Sequence, residues 1–316
     1  MKALITGGAG FIGSHLADRL IKDGHKVTVI DNLSAGDDNL AHIKTLGVDF
    51  HQVDIASYDA IKDIFKGQDT VFHLAAMNRA GRSIADPLGA HAANATGTLN
   101  VFEAARQAKV TRGIVFVSSS SVLGGSEGTL TADTPYNPLH PYGVGKAVGE
   151  MYAKIYNDLY DQNITILRYF SIYGPRQKGN LDYPAVIAKL VMLAFQGKPL
   201  TVYGDGKQLR NYTYVDDAVE ATIKAVSAKV PKNRILHVAN PNEYSILDIV
   251  EAIKRLVPGK VEIVYEALVA PEPRRNFPDT SETQKFLDWA PRVDLEEGVK
   301  RYIDWYKNNL HHFVKE

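Results

Sequence analysis

The apolar run Ala3–Thr6 passes without a break into Gly7-Gly8-Ala9-Gly10-Phe11-Ile12-Gly13 and then into an amphipathic stretch ending near Lys22. No other segment restricts the fold as tightly. Glycine at 7 permits a tight turn straight off a strand, and glycine at 10 lets a bulky anion approach the backbone. Glycine at 13 lets the following helix pack closely on the strand it leaves. A helix that starts here aims its unpaired amides and the positive end of its dipole at the turn. Glycine-rich turns also arise for steric reasons alone, so the neighbouring elements decide what this one means.

Asp31 closes the next apolar run, Val27–Ile30, at the place where a ribose diol needs an acceptor. A carboxylate there accepts from both ribose hydroxyls and repels a 2′-phosphate, so NAD is expected rather than NADP. The other reading of Asp31-Asn32 is a loop cap ahead of Ser34-Ala35-Gly36. Asp54, after a third apolar run, offers an acceptor to an adenine amino group.

Further apolar runs at Asp49–Val53, Thr70–His73, Gly113–Ser118 and Thr165–Tyr169 alternate with helical patterns at Phe11–Lys22, Tyr58–Phe65, Pro87–Ala108 and Tyr142–Tyr160. Such alternation predicts a doubly wound parallel sheet covered on both faces. Beyond Gly174 the order is less regular. Helices are predicted over Pro184–Gly197, Asp216–Ala228, Ile246–Val257 and Leu295–Asn309, strands over Thr201–Tyr203 and Ile235–Ala239, and a loop over Val269–Pro273. The expected organisation is a nucleotide-binding domain over residues 1–174, to which roughly 208–240 returns, and a smaller mixed α/β C-terminal substrate cap over 175–316.

Lys+Arg and Asp+Glu both number 36, so no global field favours nucleic acid or an anionic membrane, and an anionic ligand must be held by a local site. Cysteine is absent, which excludes disulfides, thiolate zinc sites and cysteine nucleophiles, and no metal is expected. No apolar run approaches the ~18 residues of a membrane span. Met1–Thr6 reads directly into a strand, so the expected location is cytoplasmic.

Tyr142 and Lys146 stand four apart at the start of a helical stretch, which puts both on one face. A phenol is a poor base at neutral pH, because its unperturbed pKa is about 10. A neighbouring ammonium and a cationic nicotinamide both favour the phenolate. A hydroxyl donor for a substrate oxygen is available in Ser118–Ser121, at the end of an apolar strand. A Tyr and a Lys at this spacing are, taken singly, more often a surface pair. The order along the chain (glycine turn, acidic strand end, serine run, then Tyr-x-x-x-Lys) argues for a site.

With these motifs in view, the chain resembles the extended short-chain dehydrogenase/reductase family, in its NAD-dependent nucleotide-sugar epimerase and dehydratase branch. The likeness runs over nearly the whole length. It is carried by Thr6–Gly13, Asp31–Ser34, Asp54-Ile55, His73–Ala76, Asn94 with Gly97-Thr98, Ser118–Ser120, Tyr142–Lys146, Arg168–Arg176, Tyr203–Asp217 and Asp279-Thr280. The resemblance implies a Rossmann-type domain holding NAD through Gly7, Gly10, Phe11, Ile12, Gly13, Asp31, Asn32, Ser34, Asp54, Ile55, Leu74, Ala75, Ala76, Asn94, Ser118, Tyr142, Lys146 and Tyr169. It makes Ser119 the catalytic hydroxyl, with Ser120 as the alternative, Tyr142 the base, and Lys146 the ribose-binding partner that lowers the tyrosine pKa. Substrate contacts are implied for Arg82, Ser119, Ser120, Ser171, Arg176, Thr201, Tyr203, Arg210 and Arg274, with Arg210 on the diphosphate of a sugar nucleotide.

Departures from the family pattern narrow the chemistry. Dehydratases of this branch follow the catalytic hydroxyl with Asp-Glu, whereas Ser120-Ser121 stand here. Ser171 replaces a common asparagine, and Val269-Ala270-Pro271-Glu272 lacks the arginine that many relatives carry there. Arg274, Arg275 or Arg176 could supply that charge, although Arg274-Arg275 also reads as a solvated pair. Arg79 and Arg82 lie in a loop expected to border the sugar. The expected reaction is 4-epimerisation of a UDP-hexose through a transient 4-keto sugar. The alternatives are dehydration, decarboxylation or reduction of a nucleotide sugar, and a non-catalytic NAD-binding protein. By resemblance the helices Pro87–Ala108 and Tyr142–Tyr160 pair across a two-fold axis into a homodimer. From the sequence alone they equally read as helices covering the sheet.

Overall fold

Seven apolar runs lie side by side in the computed structural model, which describes residues 1–179, 184–259, 261–267 and 275–309. They are β1 (Lys2–Thr6), β2 (Lys26–Asp31), β3 (Asp49–Gln52), β4 (Thr70–His73), β5 (Ile114–Ser119), β6 (Ile164–Tyr169) and β7 (Ile235–Val238). In space they run β3-β2-β1-β4-β5-β6-β7, every pair parallel. The order reverses between β1 and β4, so the loops after these two strands diverge and leave a crevice at the carboxyl edge of the sheet. The fold is a Rossmann-type α/β fold.

β4, β5 and β6 are buried along their whole length, as strands covered on both faces must be. Val29, Phe72, Val115 and Leu167 belong to one core, and Val71, Ile114, Phe116 and Ile166 to the other. The helix Phe11–Lys22 packs Leu16, Ala17 and Leu20 into the first of these cores.

Two helical segments depart from regularity. Residues 87–107 form Pro87–His91, a π turn over Ala92–Thr96, and Gly97–Gln107. The segment Tyr58–Ile61 tightens into a 3₁₀ turn over Lys62–Phe65. The later part of the chain holds two-stranded pairings: Leu200–Tyr203 with Ile263–Glu266, Leu209–Arg210 with Tyr244–Ser245, and Ile172–Tyr173 with Thr213–Tyr214. Helices Val186–Phe195, Ile246–Leu256 and Leu295–Asn308 pack around them. Ser245 and Asp248 form a reciprocal capping box at the start of the second.

The end of β4 is tied to that of β1 by a buried polar relay. Thr6 Oγ1 lies 2.7 Å from His73 Nδ1 and accepts from the Ala75 amide at 3.2 Å, while His73 Nε2 lies 3.0 Å from Thr98 Oγ1. Burial and the nearby Lys146 charge hold His73 far below the usual imidazole range, so it stays neutral. Thr6→Val should cost about 1–3 kcal/mol, because it orphans a buried ring nitrogen and an amide. Urea unfolding at pH 7 measures this, and an unchanged midpoint would contradict it.

Candidate active site

The turn after β1 has the shape that a pyrophosphate requires. A Cβ built at Gly13 would collide with the Gly7 carbonyl and lie 2.7 Å from Gly8 Cα. One at Gly7, whose φ is +74°, would come within 2.7 Å of the Ala75 amide nitrogen. At Gly10 the only neighbour within 4 Å is the Gly7 carbonyl, at 3.1 Å, so this side of the turn stays open. The helix Phe11–Lys22 is capped by no side chain and has no acidic residue in its first turn. Its amides and dipole are thus left for an anion.

At the end of β2, Asp31 accepts from the Ala9 amide at 3.0 Å and the Leu33 amide at 2.8 Å. Burial nevertheless raises its pKa, with these amides pulling the other way. Asn32 donates to Asp54 at 2.8 Å, joining the ends of β2 and β3. The loop after β4 is braced by Asn94, which exchanges hydrogen bonds with the backbone of Met77 at 2.9 and 3.1 Å. Asn94 is fully buried and projects from the π turn. Ile55 is buried beneath Gly97, where its side chain leaves no room for a Cβ.

Three consecutive residues of β5 meet three residues of the helix Pro141–Tyr160. The Val117 carbonyl accepts from Lys146 Nζ at 2.8 Å, and Ser118 Oγ donates to Glu150 at 2.5 Å. Ser119 is the polar neighbour that opposes the rise in pKa that burial imposes on the Tyr142 phenol. The Ser119 hydroxyl also accepts from the Ser121 amide at 3.1 Å. The helix begins at Pro141, with His140 capping the Gly143 amide, and the His140 ring stacks on Tyr142 at 6.0 Å. Gly143 and Gly145 give close approach, since a Cβ would meet the Ser121 carbonyl at one and Asn94 Cβ at the other. Burial lowers Lys146 to about 7.

Of the remaining residues singled out in the sequence, some are already engaged within the protein. The Tyr169 phenol bonds to Thr222 inside the core, so its hydroxyl is not offered to a cofactor. The Ser118 hydroxyl is spent on Glu150. Arg176 is paired with Asp18 at 2.5 Å and with His15 at 3.3 Å, which ties it to the first helix instead of leaving it for a substrate phosphate. Arg275 is exposed and held by Glu243 at 2.6 Å. Arg82 donates to the Ser34 carbonyl at 3.1 Å, beside the loop after Asp31, and so sits toward the ribose end rather than the sugar. Tyr203 accepts from Lys189 at 3.1 Å, and Thr201 pairs with Val264 in its small sheet. Arg210 lies opposite Tyr244 in the Leu209–Arg210 strand. Ser171 is exposed with φ +43°, a left-handed conformation that asparagine adopts more readily than serine. Val269 and Arg274 lie outside the described residues.

The sequence motifs pass over Glu150. It is fully buried and accepts from Arg168 Nε at 2.9 Å and the second guanidinium nitrogen at 2.7 Å. Its position four residues after Lys146 is the one signal that could have found it.

These elements define a class: an α/β enzyme with a dinucleotide crevice and a Ser-Tyr-Lys site at the carboxyl edge of its sheet. A family model described as the NAD dependent epimerase/dehydratase family matches residues 3–239. The chain is 33% identical to a UDP-glucuronate 4-epimerase of Thermodesulfobacterium geofontis over 97% of its own length and 96% of that protein's. It is 35% identical to a UDP-N-acetyl-alpha-D-glucosaminuronate decarboxylase of Bacillus cytotoxicus, covering 97% and 98% of the two chains. The crystal structure of a UDP-glucose 4-epimerase with UDP-glucose from Thermotoga maritima superposes with a TM-score of 0.92 at 30% identity, covering 98% of this chain and all of that one. The protein belongs to the NAD-dependent epimerase/dehydratase family, and its cofactor is NAD.

Proposed function

We propose that this enzyme is a 4-epimerase of a UDP-hexose. The observation that carries the reading is the Ser119–Tyr142–Lys146 juxtaposition combined with Ser120-Ser121 in place of an acid pair. Elimination of water needs an additional acid and base, which the residues after Ser119 do not offer. When bound, NAD supplies reversible hydride exchange with the sugar carbon. Gly7, Gly10 and Gly13, with the first turn of the helix Phe11–Lys22, would hold its pyrophosphate, and Asp31 would hold its ribose. Tyr142 takes the proton of the sugar 4-hydroxyl and returns it, while Ser119 donates to the oxygen as charge develops there. Lys146 supplies the positive charge that favours the Tyr142 phenolate. The described residues after Gly174, apart from the segment that returns to the sheet, are read as the sugar-nucleotide cap, where Arg210, Tyr203 and Thr201 are the expected contacts.

Decarboxylation of a UDP-uronate is the second reading, supported by the likeness to a UDP-N-acetyl-alpha-D-glucosaminuronate decarboxylase. Incubation with UDP-, dTDP-, GDP- and CDP-sugars, followed by proton NMR, separates the two. Epimer formation without carbon dioxide supports the first reading, and a pentose product replaces it with the second.

We further propose a homodimer. Val144, Met151, Ile155 and Leu159 are exposed in one stripe of the helix Pro141–Tyr160, with Ile84 and Leu88 exposed on neighbouring segments. A helix that buries one face and leaves a second apolar face in water fits a partner helix. Ile155→Glu/Leu159→Glu should halve the mass seen by light scattering after gel filtration. An unchanged mass, or a wild type that is already monomeric, would remove the dimer.

A further inference from the structure

One carboxylate beneath the site has no place in the chemistry just described. Glu150 lies one helical turn beyond Lys146 on the same face, as Lys146 lies one turn beyond Tyr142. It is fully buried and grips Arg168 of β6 through two hydrogen bonds and Ser118 of β5 through a third. The Arg168 guanidinium in turn sits 5.6 Å from the Tyr136 ring centre, and one of its nitrogens lies 3.4 Å from His237 of β7. A single acid thus ties the helix of Tyr142 and Lys146 to two central strands.

We propose that Glu150 is a positioning residue, whose buried carboxylate ties the helix of Tyr142 and Lys146 to β5 and β6, so that Ser119 faces Tyr142 and Lys146 keeps an acid one turn away. The inference rests on the reading of Lys146 as the group that favours the Tyr142 phenolate.

The surroundings of Lys146 leave few other candidates for this task. From its own helix it is faced by Tyr142 and Glu150, from β4 by neutral His73, and from β5 by the Val117 carbonyl and the Phe116 ring at 5.0 Å. From the π turn, Asn94 packs under Gly145 and brings no charge. Beyond Glu150 stand Arg168, Tyr136 and His237; burial holds the histidine neutral, at about 3, and raises the tyrosine to about 12. Glu150 is therefore the acid that offsets the burial of Lys146, and its field raises the ammonium pKa against desolvation. With Lys146 balanced near neutrality, loss of that field would discharge the lysine over much of the range in which Tyr142 works.

The test is read on the protein itself, so it stands whether or not a UDP-hexose is the substrate. Lysine labelled with ¹³C at Cε reports its own titration by NMR, and Lys146→Met identifies the resonance. Glu150→Gln should lower the Lys146 midpoint by about one pH unit or more. Because that variant leaves Arg168 buried without its anion, Glu150→Gln/Arg168→Met is measured beside it. The double variant should regain thermal stability yet keep the lowered midpoint. Where turnover is followed, the alkaline limb of its pH profile should move down with the midpoint. A wild-type midpoint in the folded double variant would mean that Glu150 merely balances Arg168, and the proposal would fall.

Discussion

Tyr142→Phe is expected to lower turnover of a nucleotide sugar by about 10³-fold, within the 10²–10⁴ range of general acid–base catalysis. The ring fits the same space and keeps its stacking on His140, so folding and NAD binding should be little changed. The lost atom is the phenolic oxygen beside Ser119. The same contacts set the sign of the pH dependence. Burial raises the Tyr142 pKa and Ser119 opposes the rise, and a cationic nicotinamide would oppose it further. Turnover should therefore rise with pH only where bound NAD brings Tyr142 down from the raised value that burial gives it in the free protein. The residual activity of the variant should lack the rising limb. Steady-state rates from pH 5.5 to 9.5, with NADH binding followed by fluorescence, decide the matter. A variant retaining more than a tenth of wild-type turnover would remove Tyr142 from the chemistry.

The second large effect is expected at Gly13. Alanine there has no space to enter, because its Cβ would collide with the Gly7 carbonyl and crowd Gly8 Cα at 2.7 Å. Both obstacles are backbone, and no rotamer relieves them. Either the helix Phe11–Lys22 moves outward from β1 or the glycine turn opens. The first loosens the packing of Leu16, Ala17 and Leu20, and the second spoils the cradle for the pyrophosphate. Overpacking costs about 1–3 kcal/mol, and occasionally more. NAD affinity should fall by at least tenfold, because the anion site depends on amides that share the displaced turn. Differential scanning fluorimetry with and without NAD separates the two losses. Unaltered stability together with unaltered affinity would refute the close-packing role of this glycine.

The sheet was legible because its strands are short apolar runs between turn residues. All six in the first half, and the seventh at Ile235, join one parallel sheet. Motif spacing likewise located Gly7–Gly13, Asp31, Tyr142 and Lys146, since each sits where a strand ends or a helix begins. The features that escaped depend on side-chain direction. Ser118 and Ser119 are neighbours in a pleated strand and point to opposite sides, so one serves Glu150 and the other Tyr142. Tyr169 obeys the same alternation into the core. Arg176 resembles a phosphate ligand in sequence, but Asp18 lies 158 residues away along the chain, and only the fold brings the two together. The two-residue strands Leu209–Arg210 and Tyr244–Ser245 are too brief to carry a periodic signal. The π turn leaves no compositional mark either, since Ala92–Thr96 reads as ordinary helix.

That turn has a consequence for how this chain tolerates change in length. A π turn is an α-helix with one residue too many, and the surplus residue is what aims Asn94 at Met77. Removing one residue from Ala92–Thr96 would restore an unbroken helix and its full set of i to i−4 hydrogen bonds. The flanking helical segments would keep nearly the same phase, because the π turn already absorbs the surplus residue, and what would be lost is the projection of Asn94. The loop from Met77 to Asp86 would lose its brace, and the Tyr142 helix would lose the side chain that packs under Gly145. Single-residue deletions here should thus lower thermal stability as well as disturb the site, because one fully buried side chain links the loop at Met77 to the helix of Tyr142 and Lys146.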